Sequence, residues 1–282
     1  MQESAALLNK ALLNIKLIPH KVIWNASPEK LTCVIVEPRK HENLRGSLYN
    51  MANIYANTDA GLVIHHSEEN KDFLLDIINT WENVKLVCLT NNDLTTKEYS
   101  YLLTRPSFYE TIQSSHLLIF QTDSIIFKSI PSFYFNYDYV GSAWPINYTW
   151  GNGCGNGGFS LRRTSTMINI CKQIKNDEKY HPEDIYFSYQ QLNIPNYFDR
   201  KRFGVEMVFY ANPVGCHKYL YNELFIHIED QLYEFERLDS YNVFQKEFYI
   251  EKQLRITLED DIQKYKDKVI IIVNPIMDPN NI

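Results

Sequence analysis

The chain has 282 residues, 45% hydrophobic and 22% charged, with a formal net charge of -6. That is enough for one large α/β domain with appendages, and the acidic balance without a basic stripe argues against a nucleic-acid partner. The five cysteines are odd in number and show no C-x-x-C spacing. Cys33 and Cys88, inside apolar runs, read as buried thiols of a reducing, cytoplasmic setting.

Residues 1–30 form a first segment, MQESAALLNKALLNIKLIPH and its continuation. It is amphipathic and helical in pattern, lacking the long apolar core of a signal peptide, so no transmembrane anchor is expected. Leu31 to Glu37 is apolar and β-branched and reads as the first central strand. Leu44, Leu48, Met51, Ala52 and Tyr55 recur at helical spacing. Ala60 to His65 reads as a second strand, and Ser67 to Trp81 as a helix capped by Ser67. Val84 to Leu89 and His116 to Gln121 are the third and fourth strands.

Four apolar strands separated by helical segments predict an α/β fold with a mainly parallel sheet and helices on both faces. The pattern then changes. Gly141 to Gly158 holds six of the ten glycines, with Trp144 and Trp150. Gly158 to Arg162 reads as a short strand, Thr164 to Lys175 as a helix, and His181-Pro-Glu-Asp184 as the start of another with Pro182 near its first position. Val205 to Tyr210 and Val269 to Val273 are strand-like. The expected division is an N-terminal helical segment 1–30, a nucleotide-binding domain 31–220, and a C-terminal extension 221–282 packed on the same domain.

Ligands of such sheets bind beyond the carboxyl ends of the strands. Glu37-Pro-Arg39 follows the first strand and Gln121-Thr-Asp123 the fourth. A carboxylate there suits a hard cation bound to a diphosphate, although Asp also turns chains after strands. The glycines of 151–158 let backbone approach a ligand, but their spacing is not that of a phosphate loop. Acids at a helix start, as in Pro182-Glu-Asp184, can act as a base, and the helix dipole favours them there in any case. His217, in Val-Gly-Cys-His, is a lone imidazole that can ligate a metal. His65 and His66 are adjacent on a strand and face opposite ways.

Taken in order, Gln-Thr-Asp after a strand, Gly-Gly-Phe-Ser-Leu-Arg, a Glu-Asp helix start and a late Gly-x-His resemble the GT-A glycosyltransferase superfamily. Within it the chain resembles a family of glycosyltransferase-like domains of unknown function with segments like Phe120–Ser124, Tyr139–Trp144, Gly155–Arg162 and Glu183–Ser188. The resemblance runs from about Leu31 to His217 and implies the following roles. Asp123 is the last acid of a degenerate Asp-x-Asp motif and, with His217, binds manganese or magnesium. Gln121 stands where the motif's first acid would, leaving one carboxylate fewer. Asp184 is the base, with Glu183 beside it. Val36, Glu37, Pro38 and Arg39 line the nucleotide pocket with Gln121 and Thr122. Gly157 and Gly158 lie against the donor sugar, and Trp144 stacks on a sugar face. The implied reaction moves a sugar from a UDP- or GDP-sugar to a hydroxyl of a glycan or other acceptor, with inversion. The alternatives are a non-catalytic nucleotide- or sugar-binding module on the same fold, favoured by Gln121, and a nucleotidyltransferase.

Overall fold

The computed structural model describes residues 2–25, 27, 30–174 and 182–232, all within the compact unit Met1–Arg237. The elements in chain order are α1 (Gln2–Asn14), β1 (Leu31–Val36), α2 (Leu44–Tyr55), β2 (Gly61–Ser67), α3 (Lys71–Ile77), β3 (Lys85–Leu89), α4 (Thr96–Leu103) and α5 (Pro106–Glu110). There follow β4 (His116–Phe120), β5 (Ser124–Ile126), β6 (Tyr139–Ser142), β7 (Asn156–Arg163), α6 (Thr164–Cys171), α7 (Glu183–Ser188), α8 (Tyr197–Phe203), β8 (Gly204–Val205) and β9 (Gly215–His217). The predicted strand at Val269–Val273 lies outside the described residues. Among the described residues, no helix is long and apolar enough to cross a membrane.

Six strands form the central sheet in the order β3-β2-β1-β4-β7-β6. The first four run parallel, β7 pairs antiparallel with β4, and β6, antiparallel to β7, runs in the direction of the first four. This is the α/β class with a mainly parallel sheet that the alternating runs predict. β1 shows how the sequence builds it. Strand side chains alternate between faces. Cys33 and Ile35 enter a core with Leu44, Leu48 and Met51 of α2, while Val34 and Val36 enter the opposite core with Phe108 of α5 and Met167 of α6. A strand buried on both faces is mostly apolar, and the one polar residue of β1, Thr32, is paired with the Ser114 hydroxyl at 2.6 Å. A second sheet, β5-β9-β8, is small but carries one side of the cleft described below.

Several boundaries differ from the sequence reading for local reasons. Ser67 ends β2, and its hydroxyl donates to the Pro38 carbonyl at 2.7 Å while accepting from Asn70 N–H at 3.3 Å, so it ties the start of α3 to the β1 loop from outside the helix. Asn70 then precedes α3, which stops at Ile77. The helix after β7 stops at Cys171, and Pro182 is the N-cap residue of α7 and not its first position. Val205 to Tyr210 supplies only the two-residue β8. Cys88 is exposed, not buried, because β3 is an edge strand; the other four thiols are buried and none of the five is paired. Among the described residues of the first segment, Gln2–Asn14 is helical, packed so closely on α2 that a Cβ on Gly46 would lie 1.9 Å from the Leu12 carbonyl oxygen.

His65 of β2 is buried against Phe108 at 5.0 Å between ring centroids, with both ring nitrogens unpartnered. Burial holds its pKa down to about 4. The folded pKa lies below the unfolded one, so the unfolded state binds more protons between about pH 6.5 and 4, and stability falls as pH falls through that window. We expect His65→Leu to remove a loss on the order of 3 kcal/mol, read as a flatter dependence of denaturation midpoint on pH; parallel curves for the two proteins would refute this.

Candidate active site

A cleft of about 660 Å³ opens at the carboxyl ends of β1 and β4. It is lined by the predicted Val36, Glu37, Pro38, Arg39, Gln121, Thr122, Asp123, Trp144, Gly158, Glu183, Asp184 and His217. Gly157 does not line it but borders it through Asp184. Residues separated by up to 181 positions in sequence are therefore brought together by three loops and one short helix.

The loop after β1 is rigidly held. Ser67 donates to the Pro38 carbonyl, and the Asn70 amide donates to the carbonyls of Glu37 and Arg39 at 2.7 and 3.0 Å. The buried Glu37 carboxylate accepts from the Arg39 guanidinium at 2.8 and 2.9 Å and from the Arg39 amide at 3.0 Å. This forked pairing fixes a half-exposed guanidinium at the mouth of the cleft.

The Gln121–Ser124 turn is closed by Ser124 N–H donating to the Gln121 carbonyl. The Ser124 hydroxyl donates to the Gly158 carbonyl at 3.1 Å, tying the turn to β7. Because β5 pairs with β9, with Ser124 opposite His217, Asp123 is delivered beside the imidazole. His217 Nε2 lies 3.2 Å from Asp123 Oδ1 and 3.1 Å from Gln121 Oε1. On the other side, Nδ1 lies 3.5 Å from Glu206 Oε1. Glu206 also receives the Asn156 amide and the Lys218 ammonium, each at 3.2 Å. Burial alone would lower the His217 pKa, but Asp123 and Glu206 outweigh it and raise it to about 9. Burial likewise opposes ionisation of Asp123 and Glu206, yet His217 holds both below their usual range. Lys218 follows β9 in a left-handed conformation, φ 63°, an uncommon state for a side chain of this size.

The opposite wall is α7. Asp184 accepts from its neighbour Ile185 N–H at 2.8 Å through Oδ1 and from Gly157 N–H at 3.1 Å through Oδ2. Burial, then the adjacent Glu183 charge, pushes its pKa up to about 6, against the pull of those two amides and Arg162. Glu183 has another employment. Its Oε1 pairs at 3.1 Å with Arg162, a fully buried guanidinium that also donates to Tyr109 Oη, Ser160 Oγ and the Gly157 carbonyl. Glu183 thus neutralises a core charge and holds α7 in place, while Asp184 faces the cleft.

The two glycines of β7 explain how both walls meet. A Cβ on Gly157 would lie 2.3 Å from Glu183 Oε1, and one on Gly158 would lie 2.2 Å from His217 Nε2. The space over each glycine is filled by a protein side chain. Trp144, expected to stack on a sugar, is only 7% exposed, whereas Trp150 beside it is 37% exposed. Glu206, Lys218, Arg162 and Trp150 carry much of the geometry and were not singled out by spacing; a lone Glu or Lys in an irregular stretch carries no periodic signal.

With this geometry in view, the comparisons are as follows. A family model described as "Protein of unknown function (DUF5672)" matches residues 83–217. No curated protein matches the chain. Among solved structures, the chain is similar to the crystal structure of S. aureus TarS 1-349, with a TM-score of 0.39 and 12% identity, covering 56% of this chain and 54% of that one. It is also similar to TarS 1-349 in complex with UDP, with a TM-score of 0.36, 13% identity and the same coverage. The chain thus spans little more than half of the TarS chain it matches.

Gly158→Ala is expected to expel the His217 ring from its seat and to destabilise the fold by about 1–3 kcal/mol through overpacking. Imidazole NMR resonances should show His217 released from Asp123 and Glu206. An unshifted His217 resonance in a folded Gly158→Ala variant would show the contact to be slack.

Proposed function

We propose that this chain is a glycosyltransferase that moves a sugar from a nucleoside-diphosphate sugar to an acceptor hydroxyl with inversion. The observation that carries the reading is the placing of Asp184, partly desolvated and oriented by two backbone amides, across one cleft from the Asp123–His217 pair. A carboxylate has about four lone-pair sites, so the two amides leave Asp184 able to accept a hydroxyl proton. The acceptor oxygen attacks the anomeric carbon as that proton passes to Asp184. The bond to the diphosphate breaks, and its electron pair leaves with the phosphate oxygen. Val36 to Arg39 line the nucleotide end of the cleft, with Gln121 and Thr122 beside the phosphates.

The donor set fits manganese or magnesium. Among the described residues no three His, Cys, Asp or Glu side chains group to hold a metal by themselves. Even so, Asp123 Oδ1 is a buried oxygen whose neighbour is His217 Nε2 at 3.2 Å, and Gln121 Oε1 lies 3.1 Å from that same nitrogen. A hard cation would accept the carboxylate and amide oxygens and, once His217 gives up its Nε2 proton to solvent, the imidazole, and would fill its shell with phosphate and water. Glu206 on Nδ1 would orient the imidazole from behind. When bound, the cation would supply charge neutralisation for the departing diphosphate.

The non-catalytic alternative draws on Gln121, which replaces an acid. Hydrolysis of nucleotide-sugars needs no known acceptor and separates the two readings. We expect uridine or guanosine diphosphates to raise the melting temperature more with manganese than without. Asp123→Ala and His217→Ala should lose that increment. Asp184→Asn should retain it and lose donor hydrolysis by about 10²- to 10⁴-fold. Full hydrolysis by Asp184→Asn would remove it as the base, and binding without hydrolysis in the parent protein would favour the binding module.

The same assay has a pH signature. The base works ionised, so the rate should rise with pH through about 6 and level above it. A plateau already reached at pH 5 would mean that Asp184 is not the titrating group.

A further inference from the structure

One rim of the cleft is left unused by the donor reading. After β6 the chain runs Trp144-Pro-Ile-Asn-Tyr-Thr-Trp150. Trp144 and Trp150 both line the cleft that holds Asp184. Their rings meet edge to face at 5.0 Å, and Tyr148 meets Trp150 at 4.7 Å. Trp144 is buried, while Trp150 and Tyr148 are each 37% exposed. Met207, also exposed, adds a soft apolar margin on the same cleft. Trp144 and Tyr148 therefore hold the Trp150 indole in one orientation, with part of its surface open to solvent.

This platform is tied to the helix that carries the base. Gly151, directly after Trp150, has φ +53°, and a Cβ there would lie 2.0 Å from the Ser188 carbonyl oxygen. Asn152 N–H donates to that same carbonyl at 2.6 Å, and the Asn152 amide donates to the Gln190 carbonyl at 3.0 Å. Ser188 is the last residue of α7 and Asp184 stands in its first turn. Four residues of helix separate them by roughly 6 Å, the scale of one sugar unit. The loop and the base thus form one rigid piece.

The chemistry of this corner selects the ligand. A pyranose has an apolar C–H face and a rim of hydroxyls. The first suits an indole, and the second suits the Asn156 amide and the carboxylates of Asp184 and Glu206 that line the same cleft. An aliphatic acceptor would bring no hydroxyls for the lone pairs that Asp184 keeps beyond its two backbone amides. We propose that the acceptor is a carbohydrate whose ring stacks on Trp150, with Tyr148 and Met207 at its margin and a hydroxyl directed to Asp184. This rests on the glycosyltransferase reading of the cleft.

The test applies the full chain, Trp150→Ala, Trp150→Phe and Tyr148→Ala to a printed array of oligosaccharides, with the nucleoside-diphosphate thermal shift measured in parallel. The expected result is retention of the parent chain by a related set of glycans. Trp150→Ala should weaken it at least tenfold and Trp150→Phe less, with the nucleotide shift kept in both. Trp150→Phe preserves a ring and guards against a folding artefact. Glycan binding unchanged in Trp150→Ala overturns the platform. No glycan binding with the nucleotide shift intact overturns a carbohydrate acceptor and leaves the donor reading standing. Glycan binding without any nucleotide shift overturns the donor reading and leaves the platform supported.

Discussion

Between Glu183 Oε1 and His217 Nε2 runs a stretch of chain where only backbone fits. Gly157 and Gly158 are consecutive residues of β7, so their missing side chains would have pointed to opposite sides of the strand. One side admits the carboxylates of α7 and the other admits the imidazole of β9. Any side chain at either position would drive one wall away from the strand. The strand therefore fixes how closely the α7 carboxylates and the His217 ring can each approach it.

The two walls then need charges that stay where the strand puts them, and each wall has its own buried hub. Behind α7 the hub is Arg162. It is fully buried, faces the rings of Tyr139 and Phe187 at 4.9 and 5.4 Å, and gathers Glu183, Tyr109 and Ser160. An ion pair this deep contributes little net stability compared with apolar packing, but losing one partner leaves a stranded charge. Its use is positional, since Glu183 is clamped and Asp184, one residue on, inherits a fixed direction. Behind His217 the hub is Glu206, which joins Asn156 of β7 to His217 and Lys218 at the end of β9. Both hubs reach β7, so the strand that separates the walls also registers them.

The central strands were legible in the sequence because burial on both faces favours short, mostly apolar runs, and β1, β2 and β4 each contain one. The acids and His217 were legible only as members of an ordered set, since each alone is ordinary. What the sequence hid was hidden for physical reasons. Ser67 carries the residue type of a helix cap but ends a strand, its hydroxyl donating to the carbonyl of Pro38 and accepting from the N–H of Asn70, which takes the cap position. Cys88 sits in an apolar run that turns out to be a sheet edge, and edge position is a property of topology, not of local pattern. Trp144 and Trp150 are equivalent as letters, and only packing decides which indole is buried and which is open. The seat of each β7 glycine depends on residues 26 and 59 positions away (183 and 217 against 157 and 158), which no local period encodes.

The charge pattern of the cleft gives a reason to expect a cation to accompany an anionic ligand. Among the described side chains lining it, Arg39 is forked onto Glu37, Lys218 reaches Glu206, and His217 lies between Asp123 and Glu206. Each positive group thus already has a carboxylate, and Asp184 adds a further negative charge. A diphosphate entering this space meets like charge that its own approach makes worse, because excluding water strengthens every such term. Two remedies are open to the molecule: a positive group leaves its carboxylate for the phosphate, or a divalent ion arrives with the ligand. The first strands a buried acid, Glu37 or Glu206, at a cost of several kcal/mol. The second would use Asp123 Oδ1 and, after loss of its Nε2 proton, the His217 imidazole, with Gln121 adding an oxygen in place of a charge. On the proposed reading, an amide at Gln121 in place of an acid would weaken the hold on the ion in the empty cleft but lower the repulsion felt by the phosphates, so the ion would be best bound when the diphosphate brings the missing charge itself.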